Sequence, residues 1–153
     1  MWVSSTRWCG ESFKRQQNNK STRQKDKETT RRRDNMGRSF ENLYVWQESR
    51  ELINIIYKIM SSCRDYGFKD QIQRAAVSIM NNIAEGFESG SDAKFLNFLN
   101  ISRGSCTEVR SMLYLCEDLS FCTKEEREQL QSQLRRITSG IVNLADSISK
   151  KDS

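Results

Sequence analysis

The sequence predicts an all-α protein, an antiparallel up-down-up-down four-helix bundle, on three observations. The segment from Gln71 to Gly86 carries two adjacent apolar stripes at helical spacing. The last foldable stretch carries a heptad seam, and no stretch alternates convincingly as a strand does. Four long helical patterns separated by short turn signals leave the antiparallel bundle as the expected arrangement.

Ser39 is placed to cap a first helix whose apolar positions include Leu43, Trp46, Ile53, Ile56 and Met60, before Gly67 breaks the pattern. Asp70 with Gln73 three residues on has the form of a capping box and predicts the start of the second helix. That helix shows Ile72, Ala75, Ala76, Ile79 and Ile83 on one stripe and Val77, Met80 and Ala84 on another. An apolar arc about twice the usual width of roughly 100° predicts burial against the bundle and against a second copy of the chain.

Ser89-Gly90-Ser91 supplies the next turn. The third helix places Phe95, Phe98, Leu99, Ser102, Cys106, Val109, Leu113, Cys116 and Leu119 at steps of three and four. Thr123 with Glu126 forms a second capping box, and Glu125, Glu126 and Glu128 crowd the first turn, where the helix dipole favours them. The fourth helix then runs Leu130, Leu134, Ile137, Ile141, Leu144 and Ile148, nearly three heptads of an a/d seam.

A chain of 153 residues fits a single folded domain. Its net charge of +5 invites a nucleic-acid reading, but residues 1–35 carry a net +6 and residues 36–153 a net −1. The basic excess therefore belongs to the N-terminal extension. Residues 1–35 have few branched apolar residues and no periodicity, so they are expected to be a disordered basic extension ahead of a bundle domain spanning 36–153. Met36, just before the first helical pattern, favours a true start there over a basic tail that contacts RNA or an acidic surface. No apolar run is long enough for a membrane span, and no secretory signal opens the chain. Cys9, Cys63, Cys106, Cys116 and Cys122 are odd in number and contain no CxxC pair, which points to reduced core cysteines in a cytoplasmic protein.

QIQRAAVSIMNNIAEG (Gln71–Gly86), GSCTEV (Gly104–Val109) and FENLYVWQESREL (Phe40–Leu52) together resemble the small bundle proteins encoded in bacterial 23S rRNA intervening sequences. The resemblance spans about residues 38–148. Many members have a proline near the middle of the QI…NIAEG stretch, where this chain has Met80 and Asn81. The resemblance implies an all-α, non-enzymatic protein that assembles into a ring, commonly a pentamer.

The absence of histidine removes Ser-His-Asp and Cys-His catalysis and the Glu-x-x-His motif of di-iron bundles. No Gly-rich phosphate loop is present, and no cofactor, metal or small-molecule substrate is expected. The best candidate site is the polar strip Gln71, Arg74, Ser78, Asn82 and Glu85, ending at Gly86. It either lines a groove or ring lumen or satisfies its own groups against neighbouring helices, and the second reading is favoured.

Gly104 and Ser105 inside the third helix predict close approach of another backbone, with a ligand pocket as the sharper alternative, because an interior glycine costs roughly 1 kcal/mol relative to alanine. Trp46 and Phe40 are expected to anchor the core or an interface. Arg135 and Arg136, with Arg127 and Lys124, give a modest basic face among Glu125, Glu126 and Glu128. Nonspecific RNA contacts are expected mainly from Arg31, Arg32 and Arg33, with Arg135 and Arg136 as the further candidates.

The favoured function is a homo-oligomeric binding or scaffold module, with RNA or a ribonucleoprotein as partner implied by the resemblance. The alternative is a structural protein–protein oligomer, or an accessory factor to a nucleic-acid enzyme, that binds no RNA directly.

Overall fold

A computed structural model describes residues 39–150, and within them the only regular elements are helical. The four long helices are α1 (Tyr44–Ile59), α2 (Tyr66–Glu88), α3 (Asp92–Asp118) and α4 (Lys124–Ser149). Short 3-10 turns, Phe40–Asn42 and Met60–Ser62, precede and follow α1. Each helix packs on its neighbours in the cyclic order α1, α2, α3, α4, with α4 returning to α1. The short connections and this order make the antiparallel four-helix bundle that the sequence predicts. Among the described residues no helix is long and apolar enough to cross a membrane. The predicted extension over 1–35, with Arg31, Arg32, Arg33 and Cys9, lies outside the described residues.

The core forms where the stripes meet. α2 buries Ile72, Ala75, Ala76, Ile79, Ile83 and Gly86, while Val77, Met80 and Ala84 are half-buried beside them. From the heptad seam of α4, Leu130, Leu134, Ile137, Ile141 and Ile148 are buried, and Leu144 is half-buried. Removing such a Leu or Ile side chain from water contributes about 1.5–3 kcal/mol each. α1 differs from expectation in register: its deepest residues are Val45, Ser49, Leu52 and Ile56, with Leu43, Trp46 and Ile53 only half-buried. Leu119, expected in the core, is 46% exposed because α3 ends one residue earlier.

Helix starts separate real caps from lookalikes. Ser39 does not cap α1: the chain enters through the 3-10 turn, and Leu43 occupies the N-cap without a side-chain bond. Phe40 folds back edge-on to Trp46, with ring centroids 5.3 Å apart. α2 starts earlier than Asp70. Asp65, in extended conformation, accepts a hydrogen bond from the Phe68 amide at 3.0 Å, so Gly67 lies inside the first turn. Asp70 instead pairs with Arg74 one turn on, at 2.7 Å.

At α4 the predicted box is complete. Thr123 accepts from the Glu126 amide at 3.2 Å, and the Glu126 carboxylate accepts from the Thr123 amide at 2.8 Å. Thr123→Ala is expected to cost about 1 kcal/mol, within roughly 0.5–2, read as a lowered midpoint in urea unfolding. An unchanged midpoint would show that the box does not stabilise this helix start.

Candidate functional site

The polar strip of α2 runs beside α3, and most of its members have partners. Gln71 donates to the Glu108 carboxylate of α3. Asn82 Nδ2 donates to both the Ser78 carbonyl (2.7 Å) and the Ser78 Oγ (3.0 Å). Ser78 and Ser105 hydroxyls lie 3.0 Å apart, and Ser105 donates onward to the Ile101 carbonyl at 3.3 Å. With one proton per hydroxyl, the order is Asn82 to Ser78 to Ser105 to Ile101, a chain stitching α2 to α3. Deeper in the same seam, Ser102 donates across to the Ile79 carbonyl at 3.0 Å. Arg74, Ser78, Asn82 and Glu85 also line a shallow open groove with Val77 and Tyr57 of α1.

The expected close approach at Gly104 does not occur within the chain: a Cβ there would meet nothing within 4 Å. Gly104 sits on the outward face of α3, where it costs helix propensity without relieving a contact. The tight crossings are at the other glycines. A Cβ on Gly86 would lie 2.7 Å from Phe95 Cδ2 and 2.8 Å from Phe98 Cβ, and one on Gly140 would lie 2.6 Å from Val45 Cγ1. Gly86 lets α2 and α3 meet just before their tight turn, and Gly140 does the same for α4 and α1.

The outward line of α3 reads Ile101, Gly104, Glu108, Met112, Leu115 and Leu119, at steps of three and four. Ile101, Leu115 and Leu119 are each 46% exposed, and Met112 is half-buried. Single exposed apolar residues are ordinary; here Met112, Leu115 and Leu119 form an apolar patch at the C-terminal end of α3, and Ile101 stands further along the same line beyond Gly104 and Glu108.

The basic face of α4 is divided. Arg127 is held by Glu117 and Glu128 and lies over the Tyr114 ring, 5.2 Å from its centroid. Arg136 reaches Glu48 of α1 at 3.2 Å. Hydrogen bonding to these carboxylates holds both guanidinium groups above their ordinary pKa. Arg135 has no ion pair among the described residues. It shares a recess with Arg110 of α3, a residue the sequence reading did not single out. Arg103, Thr107 and Arg110 at steps of four and three were the available signal.

The four described cysteines are free and buried. Burial pushes the Cys106 thiol up to about 11 and drives Cys116 higher still. Both stay protonated at neutral pH, the unreactive state of a thiol. Among the described residues no cluster of three acidic or sulfur ligands is set to hold a metal ion.

Comparison with known proteins agrees with this geometry. No curated protein matches the chain. Among solved structures, a protein of unknown function from the S23 ribosomal protein family of Bacteroides thetaiotaomicron superposes with a TM-score of 0.62 at 27% sequence identity, covering 66% of this chain and 97% of that one. The sequence model of the 23S rRNA-intervening sequence proteins matches residues 41–143, most of the bundle. The chain therefore belongs to the 23S rRNA-intervening sequence protein family.

Proposed function

We infer that this chain is a non-enzymatic, self-associating bundle that acts as a binding scaffold, with RNA or a ribonucleoprotein as its partner. The observation that carries the self-association is the outward line of α3, where Ile101, Leu115 and Leu119 are each 46% exposed in a single copy. Covering them with another protomer removes apolar surface from water at about 25 cal/mol per Å². The open helix position at Gly104 supports the same reading, because a residue without a side chain lets a second helix come close at no steric cost.

A scaffold role fits the chemistry of the chain. It has no histidine, burial keeps the Cys106 and Cys116 thiols protonated, and Gln71 and Ser78 of its polar strip are engaged with α3. RNA enters from the family to which the chain belongs, and a repeated surface would multiply a weak contact through avidity.

Native mass spectrometry of the full chain tests the assembly. A species of several protomers is expected, with five as the first expectation. A monomer at micromolar concentration would overturn the scaffold reading.

A further inference from the structure

We propose that the recess between α3 and α4 binds the phosphate groups of single-stranded RNA, with Arg110 and Arg135 as its contacts. This rests on the RNA partner inferred above and assigns it a site. The recess has a volume of about 210 Å³ and is lined by Thr107 and Arg110 from α3 and by Arg135, Thr138 and Ser139 from α4. Its floor is Cys106 and Leu134, both buried.

What the recess brings together is two arginines from different helices, neither with an ion pair among the described residues. Of the arginines on α4, Arg127 and Arg136 are held by carboxylates, whereas Arg135 is not. Arg110 and Arg103 on α3 likewise have no ion pair among the described residues, and they stand seven residues apart, about 10 Å along one helix face. Arg103 thus extends the positive line beyond the recess itself.

Of the acidic groups on the two walls, Asp92 and Asp118 stand eighteen and eight residues from Arg110, Glu125 stands ten from Arg135, and Glu126 closes the capping box of α4. Glu117 is engaged by Arg127, and Glu108 is engaged by Gln71 on the opposite side of α3. Along the outward line of α4, Glu128 and Asp146 stand seven and eleven residues from Arg135. At 1.5 Å per residue that is about 10 and 16 Å, at or beyond the screening length of roughly 8 Å in physiological salt.

The donors match a phosphate diester. A guanidinium presents a planar fork to the two non-bridging oxygens of a phosphodiester, and a serine hydroxyl donates to the free lone pair of one of them. The Thr107 and Thr138 hydroxyls donate to their own helix carbonyls at 3.2 and 2.8 Å, while the Ser139 hydroxyl has no such commitment among the described residues. Helices whose axes sit about 8–10 Å apart are in contact, so a strand would lie over the recess and turn a phosphate into its volume of about 210 Å³. Backbone contacts of this kind fix position without reading sequence.

The test is a salt titration of binding to a fluorescein-labelled oligouridylate, using the full chain. Each single-strand phosphate contact contributes about 0.7 to the log–log salt slope. The double variant Arg110→Gln with Arg135→Gln should therefore flatten the slope by about 1.4, with its circular dichroism and oligomeric mass unchanged. Arg136→Gln should change the slope by less than one contact. The triple variant Arg31→Gln, Arg32→Gln and Arg33→Gln, made in the extension, should leave the recess contribution in place.

If the chain binds RNA and the recess variant keeps its slope, the site is wrong and the RNA partner stands. If no form of the chain binds with a salt-dependent affinity, the RNA partner falls as well. Equal competition by polyglutamate would overturn the phosphate assignment in favour of an acidic protein segment.

Discussion

Gly86→Ala is expected to destabilise the bundle by about 1–3 kcal/mol, although alanine is the better helix former by roughly 1 kcal/mol. The reason is contact at the α2–α3 crossing. The added methyl would stand 2.8 Å from Phe98 Cβ, an atom fixed to the α3 backbone, and 2.7 Å from Phe95 Cδ2. A phenylalanine ring can rotate away, but a Cβ moves only with its helix. The two helices must separate just before their short turn, loosening the burial of Ile79 and Ile83 nearby. Gly86→Leu should cost more. Gly140→Ala crowds one side-chain methyl, Val45 Cγ1 at 2.6 Å, with Tyr44 Cδ1 at an ordinary 3.9 Å, and should cost less.

In the dissociated protomer Gly104→Ala has the opposite sign: with nothing within 4 Å, propensity stabilises by up to about 1 kcal/mol, whereas in the assembly the added methyl stands where the second helix approaches. Urea unfolding of the three alanine variants, at a concentration where the protomer is dissociated, measures the contrast. Equal effects at Gly86 and Gly104 would contradict the tight crossing.

Repeating patterns announced themselves in the sequence, while features that depend on which helices meet did not. The heptad seam from Leu130 to Ile148 and the Thr123–Glu126 box are local and periodic, and both appear in the structure. So does the main stripe of α2. Asp65 and Asp70 carry the same capping chemistry, and nothing local says which one initiates a helix. Gly67 misled because glycine is tolerated in a first turn as well as at a break.

The tight crossing lies at Gly86 and not at Gly104 for a related reason. A helical pattern marks a glycine as costly without saying what lies opposite, and the crowding at Gly86 comes from Phe95 and Phe98 on the next helix. The charge on α4 was similarly opaque. Arg136 is neutralised by Glu48, 88 residues away in sequence, and Arg135 acquires Arg110 as a neighbour only through the pairing of α3 with α4.

Replacing both Ile101 and Leu115 with glutamate is expected to abolish self-association while leaving each bundle folded. The two residues are 46% exposed in the single copy, so a glutamate there can rest its stem on the bundle and keep its carboxylate in water. They also join Glu108 on the same outward line, placing three carboxylates where a second protomer would have to bury them. A buried charge without a partner costs several kcal/mol, enough to shift association by orders of magnitude.

Sedimentation equilibrium of the unmodified chain and this double variant, side by side at micromolar concentration, is the direct measurement. We expect several protomers for the former and a monomer with unchanged helical circular dichroism for the latter. A monomeric unmodified chain, or a variant that assembles as the unmodified chain does, would contradict self-association through the outward face of α3.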